Sequence, residues 1–368
     1  TLASKSISVS QKKSQNILVS PLNWGLGHAT RLIPIIEWCL KNNKNVFILG
    51  NGESFKLLCE RFPDCKNIYL SAPKMIYGKK TALNFYFVLS AILLIFNVFI
   101  ERRKVSKIIK TYNIDTIISD NRPGVISKKV KSIYISHQIN VFTSKKNNLI
   151  SKILTSLHKI VIKKYDACWV PDNAKSELTG RMSENVNNLN LNYIGILSRF
   201  QNTENFATQL NLKTYEIVAI VSGPETPRSI FENIIIRKLL NENYKSLIIR
   251  GLPKNKKCIK SKNNIDFLNH CNDNEFFHYI SNAKIIICRS GYSSIMDMLV
   301  FNKNVIIVPT PGQPEQEYLA KRLNKKYNFV SLQQEDFKNI FLSQINFNSK
   351  KCFENDTNKL NEFLNLHL

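Results

Sequence analysis

Residues Cys288–Leu319 read CRSGYSSIMDMLVFNKNVIIVPTPGQPEQEYL. The run Ile285–Ile287 that leads into them is short and apolar, as a buried strand is. Ser290-Gly291 breaks the run, and the segment after it places Ile295, Met298 and Leu299 on one helical face. Val305–Val308 reads as a second buried strand, stopped by Pro309-Thr310-Pro311-Gly312. Gln313-Pro314-Glu315-Gln316-Glu317-Tyr318 then has the polar character of a helix's first turn. Strand, helix, strand, helix at this spacing is a parallel βαβα unit, so the fold class is α/β. Such sheets take ligands outside the carboxyl ends of their strands, where both polar clusters fall.

The residue types at those ends suit a nucleotide-linked sugar. A carboxylate such as Asp297 can accept two hydrogen bonds from a ribose diol. Backbone N–H groups at Ser290-Gly291 and at the next helix start can hold a diphosphate. Gln316 and Glu317 offer donors and acceptors for sugar hydroxyls. Taken singly, Asp297 could be a solvated helix residue and the proline-rich tetrapeptide an ordinary turn. The ordered string as a whole favours the site.

The string resembles the donor-site region of the MurG-like glycosyltransferases of family 28, whose fold is GT-B. In that family a Ser-Gly turn precedes a helix with a ribose-binding acid, and a Pro-containing turn precedes paired Gln residues that touch the sugar. Ser290-Gly291, Asp297, Gln316 and Glu317 stand at the matching positions. Two departures are visible. The acid is Asp rather than Glu, and the second amide is replaced by Glu317. The resemblance runs from about Ile17 to Leu323. It implies two Rossmann-like domains facing across a cleft, with inverting transfer from a UDP-sugar to a lipid-linked or glycan acceptor.

The amino-terminal half is consistent with that frame. Ile17–Ser20 is a strand running into Pro21-Leu22-Asn23-Trp24-Gly25-Leu26-Gly27-His28, ahead of a helix with Leu32, Ile33, Ile36 and Leu40 on one face. Gly25 and Gly27 allow the backbone to approach a ligand closely. A dinucleotide fingerprint is not met, because no third Gly follows and no acid ends the strand Val46–Leu49. The loop resembles the family's Gly-Gly-His loop, which implies that His28 lies at the reaction centre as general base or positioning group. A lone His is otherwise more often structural. Further strands are read at Asn67–Ser71, Thr116–Ser119, Ile133–Ser136 and Ala167–Val170. The fourth strand ends in Asp120-Asn121-Arg122, which admits two readings: cleft residues, or a turn with an internal ion pair. The fifth ends in His137-Gln138, similar to a family string near acceptor and sugar. Asp172 reads as a cap for the next helix.

Ala82–Ile100 carries no charge over nineteen residues and is flanked by Lys79-Lys80 and Arg102-Arg103-Lys104. The length meets that of a membrane span, but a span would separate the third and fourth strands and leave positive charge on both sides. The expectation is a helix that partly packs on the sheet and partly dips into lipid.

The second half restarts with a strand at Ile217–Val221 and a phosphate-compatible turn at Ser222-Gly223, with strands Leu247–Arg250 and Ile265–Leu268 beyond. These readings divide the chain into a disordered tail at 1–15, an acceptor domain at 16–199 with a membrane-facing segment at 82–104, and a linker at 200–213. A donor domain at 214–345 and a helical tail at 346–368 that crosses back to the first domain complete the expectation.

The chain has 368 residues, 43% of them hydrophobic, enough for about two packed domains. A net charge of +25 calls for anionic partners: nucleic acid, an anionic membrane surface or an anionic substrate. Lys and Arg are dispersed rather than striped and no nucleic-acid motif is present, so a nucleic-acid partner is not expected. The eight cysteines form no C-x-x-C pair or Cys/His cluster, which fits a reducing cytosol and argues against zinc. No secretory signal and no D-x-D pair is seen, so neither metal nor other cofactor is expected. The expected location is the inner face of the cell membrane, as a peripheral protein. A UDP-sugar 2-epimerase on the same double-Rossmann fold is the main alternative, and a basic nucleic-acid-binding protein a weaker one.

Overall fold

The computed structural model of the chain describes residues 14–71, 83–143, 148–185, 189–206, 210–255, 257, 259–347, 353 and 357–368. Most of the expected 1–15 tail, the start of the 82–104 segment, and parts of the 200–213 linker and the carboxyl-terminal tail lie outside that set.

The amino-terminal half builds seven strands: β1 (Asn16–Pro21), β2 (Asn45–Gly50), β3 (Lys66–Tyr69), β4 (Thr116–Asp120), β5 (Lys131–Ile135), β6 (Ala167–Val170) and β7 (Leu191–Tyr193). Its helices are α1 (Gly27–Thr30), α2 (Ile33–Lys41), α3 (Gly52–Arg61), α4 (Leu83–Tyr112) and α5 (Asn148–Ile162). The strands pair in parallel in the order β3-β2-β1-β4-β5-β6-β7. Near-continuous apolar strands such as Ile17-Leu18-Val19 are what a sheet covered on both faces requires. Ile17 and Val19 pack towards α2, and Leu18 towards α4. The order reverses between β1 and β4, so the loops after these two strands border the same crevice.

The second half builds β8 (Ile217–Ile220), β9 (Ser246–Ile249), β10 (Ile265–Leu268), β11 (Ile285–Cys288), β12 (Asn304–Ile307) and β13 (Phe329–Ser331). Between and after them run α6 (Pro227–Leu240), α7 (Asp273–Asn282), α8 (Tyr292–Phe301), α9 (Pro314–Leu323), α10 (Gln334–Asn339) and α11 (Thr357–His367). This sheet is also parallel, ordered β10-β9-β8-β11-β12-β13, with its reversal between β8 and β11. An Asn272–Glu275 capping box starts α7, and Asn302 in the left-handed region ends α8.

The helix read at Ala82–Ile100 extends twelve residues further, through a charged second half. Its described contacts with the sheet come from Val105 and Ile109, beyond the apolar stretch. Glu101 is buried there and pairs with Arg122 at 2.8 Å, whereas Phe99 and Ile100 are exposed. Among the described residues no helix is long and apolar enough to cross a membrane. The segment after Asp172 is not the expected α-helix. It is a series of turns, which the buried Asp172 carboxylate holds by accepting from the backbone N–H groups of Asn173 and Thr179.

The linker read at 200–213 is anchored at its start. Phe200 and Phe206 are buried in the second half's core, stacked among Phe276 and Phe277. At the far end, α11 lies on the first sheet. Leu360 and Leu364 join the cluster of Trp38 and Trp169, each burial contributing about 1.5–3 kcal/mol. Lys131 and Lys44 donate to the carbonyls of His367 and Leu368, complementing that helix's negative end.

Candidate active site

The two switch-point crevices face each other. In the first, the loop after β1 begins with Asn23-Trp24-Gly25 and turns into α1, so that His28 stands beside the end of β4, where Asp120 is fully buried. His28 Nδ1 lies 3.2 Å from Asp120 Oδ1, and 14% of the His28 side chain is exposed. Arg31, one helical turn after His28 and also buried, clamps the same carboxylate through Nε at 2.7 Å and Nη2 at 2.9 Å. Its Nη2 also lies 2.5 Å from His28 Nδ1, and its Nη1 donates to His137 Nδ1 at 2.8 Å. With Nδ1 of His137 accepting, Nε2–H is free to donate to Glu315 of α9 at 3.2 Å. The His137 ring stacks on Tyr292 of α8 with centroids 4.0 Å apart.

This cluster brings together His28, Asp120 and His137 from the sequence reading and adds Arg31, Tyr292 and Glu315. The reading of Asp120 and Arg122 as an internal ion pair is corrected: Asp120 pairs with Arg31 and His28, and Arg122 with Glu101. Arg122 also donates to the Leu70 carbonyl, which makes it a brace behind the sheet. Gln138 is tied through its backbone to Ser136 Oγ at 3.2 Å.

Electrostatics sets the protonation states. Burial lowers the His28 pKa below 6.5, the charge of Arg31 adds to this, and Asp120 opposes it. The imidazole is therefore neutral at pH 7. Burial pushes the Asp120 carboxyl up, but Arg31 and His28 outweigh it and hold Asp120 below the usual carboxylate range. Glu315 behaves alike, burial being outweighed by His137, Arg31 and His28. The contact geometry at His28 accommodates two tautomers. With the proton on Nδ1, His28 donates to Asp120 and presents a bare Nε2; with Nδ1 bare, it accepts from Arg31.

The second crevice carries the donor-site expectations. Gly223 at φ +105°, Gly291 and Gly312 face open space, with nothing within 4 Å of a Cβ built on them, as has Gly25 at φ +89° on the opposite side. Gly291 caps the start of α8. Ser222-Gly223 stands in an exposed loop ahead of α6, which starts only at Pro227, so those N–H groups are not at a helix start. Ser290 is buried and donates to the Gln316 carbonyl at 2.9 Å. Gln316 and Glu317 accept from the N–H groups of Thr310 and Gly312, shaping the turn before α9. Gly27 admits the other half of the chain rather than a ligand, since a Cβ there would meet Ser293 Oγ at 2.5 Å.

Asp297 takes a different place from the open rim. It is buried, with Oδ1 accepting from Ser198 at 2.7 Å and Oδ2 from Arg199 at 3.3 Å. Arg199 continues to Asp273, which Arg61 of α3 also reaches at 2.6 Å, so Asp297 belongs to an ion-pair seam between the halves. Asp297→Asn is expected to lower the unfolding free energy by about 1–3 kcal/mol in urea titration, because the half-buried Arg199 loses one of its two charged acceptors.

Residues 237–366 match the model of the glycosyltransferase family 28 C-terminal domain. The carboxyl-terminal part of the chain is thus similar to a family 28 domain. An uncharacterized glycosyltransferase of Methanosarcina mazei is 25% identical over 227 residues, covering 58% of this chain and 59% of the relative. The aligned part thus spans little more than half the length of that relative. Among solved structures, the kitacinnamycin glycosyltransferase superposes with a TM-score of 0.63 at 10% identity, covering 96% of both chains. Acinetobacter baumannii MurG superposes at 0.53 and 10% identity, covering 95% of this chain and 93% of the other. A structure described as a UDP-N-acetylglucosamine 2-epimerase from Listeria monocytogenes gives 0.58 at 9% identity, covering 95% of both. These likenesses show the GT-B fold, and the similarity to the family 28 domain runs from within α6 to α11. Among the described residues no group of His, Cys, Asp and Glu is arranged to hold a metal ion, and the six described cysteines are free.

Proposed function

We propose that the chain transfers a sugar, N-acetylglucosamine or another hexose, from a UDP-sugar to a hydroxyl of a lipid-linked acceptor, with inversion. The observation that carries this is His28 against buried Asp120 at 3.2 Å, facing a family 28 domain. In the Nδ1–H tautomer Asp120 orients the ring, and Nε2 takes the acceptor's proton as its oxygen bonds to the sugar's anomeric carbon. The bond from that carbon to the diphosphate breaks, and the electron pair leaves with UDP. Backbone N–H groups at the start of α8 balance the leaving charge. The open strand ends at Gly223, Gly291 and Gly312 leave room for the nucleotide-sugar. His137, held by Arg31 and Glu315, borders the acceptor side. The apolar segment of α4 and its basic flank hold the chain on the inner face of an anionic membrane.

A panel of nucleotide-sugars tests donor use. A true donor binds only the native state, and at about 100 times its Kd it stabilises that state by about 2.7 kcal/mol, raising the melting temperature. A flat response across all UDP-sugars would reject the proposal. The pH profile adds an independent check. Because the His28 pKa is lowered, its basic form persists below pH 6.5, and the acid limb of kcat/KM is expected below that value. A limb above it would assign the base elsewhere.

A further inference from the structure

Trp24 and Leu26 flank Gly25 in the loop that leads from β1 to His28, and they are 47% and 38% exposed. Neither belongs to the buried cluster that begins just beyond them, at Ala29, Leu32 and Ile33. The loop itself is fixed. The Leu22 N–H donates to the Asp120 carbonyl at 3.0 Å, and the buried Ser54 of α3 donates to the Gly25 carbonyl at 2.8 Å. From the second half, Ser293 of α8 donates to the Gly27 carbonyl at 3.2 Å. An indole carried on a backbone pinned at three points, yet left open to water, is a preorganised contact surface.

A second exposed ring stands on the same rim. Tyr69 ends β3 at 71% exposure, in a T-shaped contact with Phe55 of α3, centroids 6.3 Å apart. Ser54 and Phe55 thus touch the Trp24 loop and Tyr69 in turn, and the start of α3 separates the two. Because β4, β1, β2 and β3 are neighbours in the sheet, its carboxyl rim runs from His28 and Asp120 to the Trp24 loop, then to Tyr69. The ends of β1 and β3 lie two strand spacings apart, about 10 Å. On the same first turn of α3, Glu53 meets Lys254 of the second half at 2.6 Å, and both side chains are well exposed. An acyl chain gains from unbroken apolar area, which this alternation of rings and charges does not offer. A sugar matches it. One face of a pyranose presents C–H bonds that the negative face of an aromatic ring attracts, and its hydroxyls need donors and acceptors such as Lys254 and Glu53.

We propose that Trp24 and Tyr69 are stacking platforms for two successive sugar rings of a carbohydrate acceptor, the ring on Trp24 turning its hydroxyl towards His28. The inference rests on the proposed transfer at His28 and names what carries the attacking hydroxyl. The other two tryptophans, Trp38 and Trp169, are 7% and 0% exposed, so acrylamide quenching of the native full chain reports on Trp24. The probes are methyl and octyl glycosides of glucose, N-acetylglucosamine and their β-linked disaccharides, each added with UDP. Disaccharide glycosides are expected to lower the quenching constant towards that of Trp24→Phe, in which only the buried indoles remain, whereas octanol and phenethyl alcohol leave it unchanged. In transfer assays Trp24→Ala is expected to raise the KM of those glycosides by roughly tenfold, more than it lowers kcat, and Trp24→Phe to restore most of the loss. Tyr69→Ala is expected to raise KM more for disaccharide than for monosaccharide glycosides. Protection of Trp24 by no glycoside, or by phenethyl alcohol alone, would overturn the proposal. So would a Trp24→Ala protein of wild-type melting temperature with an unchanged acceptor KM, a result that leaves the activity standing without the platform. Protection of Trp24 with no transfer from any UDP-sugar would keep the platform and remove the reaction.

Discussion

His28→Ala is expected to lower turnover by about 10²–10⁴-fold while donor affinity stays near that of the wild type. The ring stands beside the end of β4 with Asp120 and Arg31, across the cleft from the turns at Gly223 and Gly312 proposed to face the donor. On the proposed mechanism, removing it takes away the base but leaves the strand ends assigned to the nucleotide-sugar. Calorimetric titration of the donor and single-turnover kinetics separate the two quantities. A fall in donor affinity equal to the fall in rate would make His28 a donor-binding group instead. Full turnover at saturating acceptor would remove it from the chemistry.

Asp120→Asn is expected to act on both stability and rate. Arg31 is 2% exposed and loses its only close carboxylate among the described residues, leaving a buried cation without a charged partner. Breaking such a pair costs about 3–5 kcal/mol. Urea denaturation measures this, and adding Arg31→Met should recover a substantial part, since the unpaired charge is then gone. The pH dependence has a definite sign. The folded-state pKa of Asp120 lies below its unfolded value near ~3.9, so its stabilisation is complete above that pH and is lost on acidification through the lower folded value. The Asn variant should lack that component of acid unfolding. Its turnover should fall as well, because an amide no longer selects the Nδ1–H tautomer of His28. A stable Asp120→Asn protein with full activity would refute the dyad.

Much of the architecture was legible because parallel strands covered on both faces are short apolar runs with polar ends. Ile17–Ser20, Ala167–Val170 and Ile285–Ile287 announce themselves in that way, and their order placed the two switch-point loops. The three-residue strands β7 and β13 carry too little pattern to be read. Arg31 left one signal, a charge inside the apolar run from Ala29 to Ile36. Nothing local says that it reaches a carboxylate 89 residues away. In the donor-side string the resemblance pointed to Gln316 and Glu317, but the first turn of α9 turns Glu315 towards His137 and uses its two successors to shape the preceding loop. Asp297 has the expected helical position, yet its partners, Ser198 and Arg199, lie almost a hundred residues earlier, and only the folded chain brings them together.

The central claim is acceptor-dependent glycosyl transfer with inversion at the His28–Asp120 dyad. Its most direct test is proton NMR of the full chain incubated with UDP-N-acetylglucosamine and other UDP-hexoses, with and without a panel of alkyl glycosides. Transfer predicts one equivalent of UDP for each new glycoside, an anomeric coupling inverted from that of the donor, and no change when the acceptor is left out. A product with the donor's own anomeric configuration, or an epimerised sugar formed without acceptor, would contradict it.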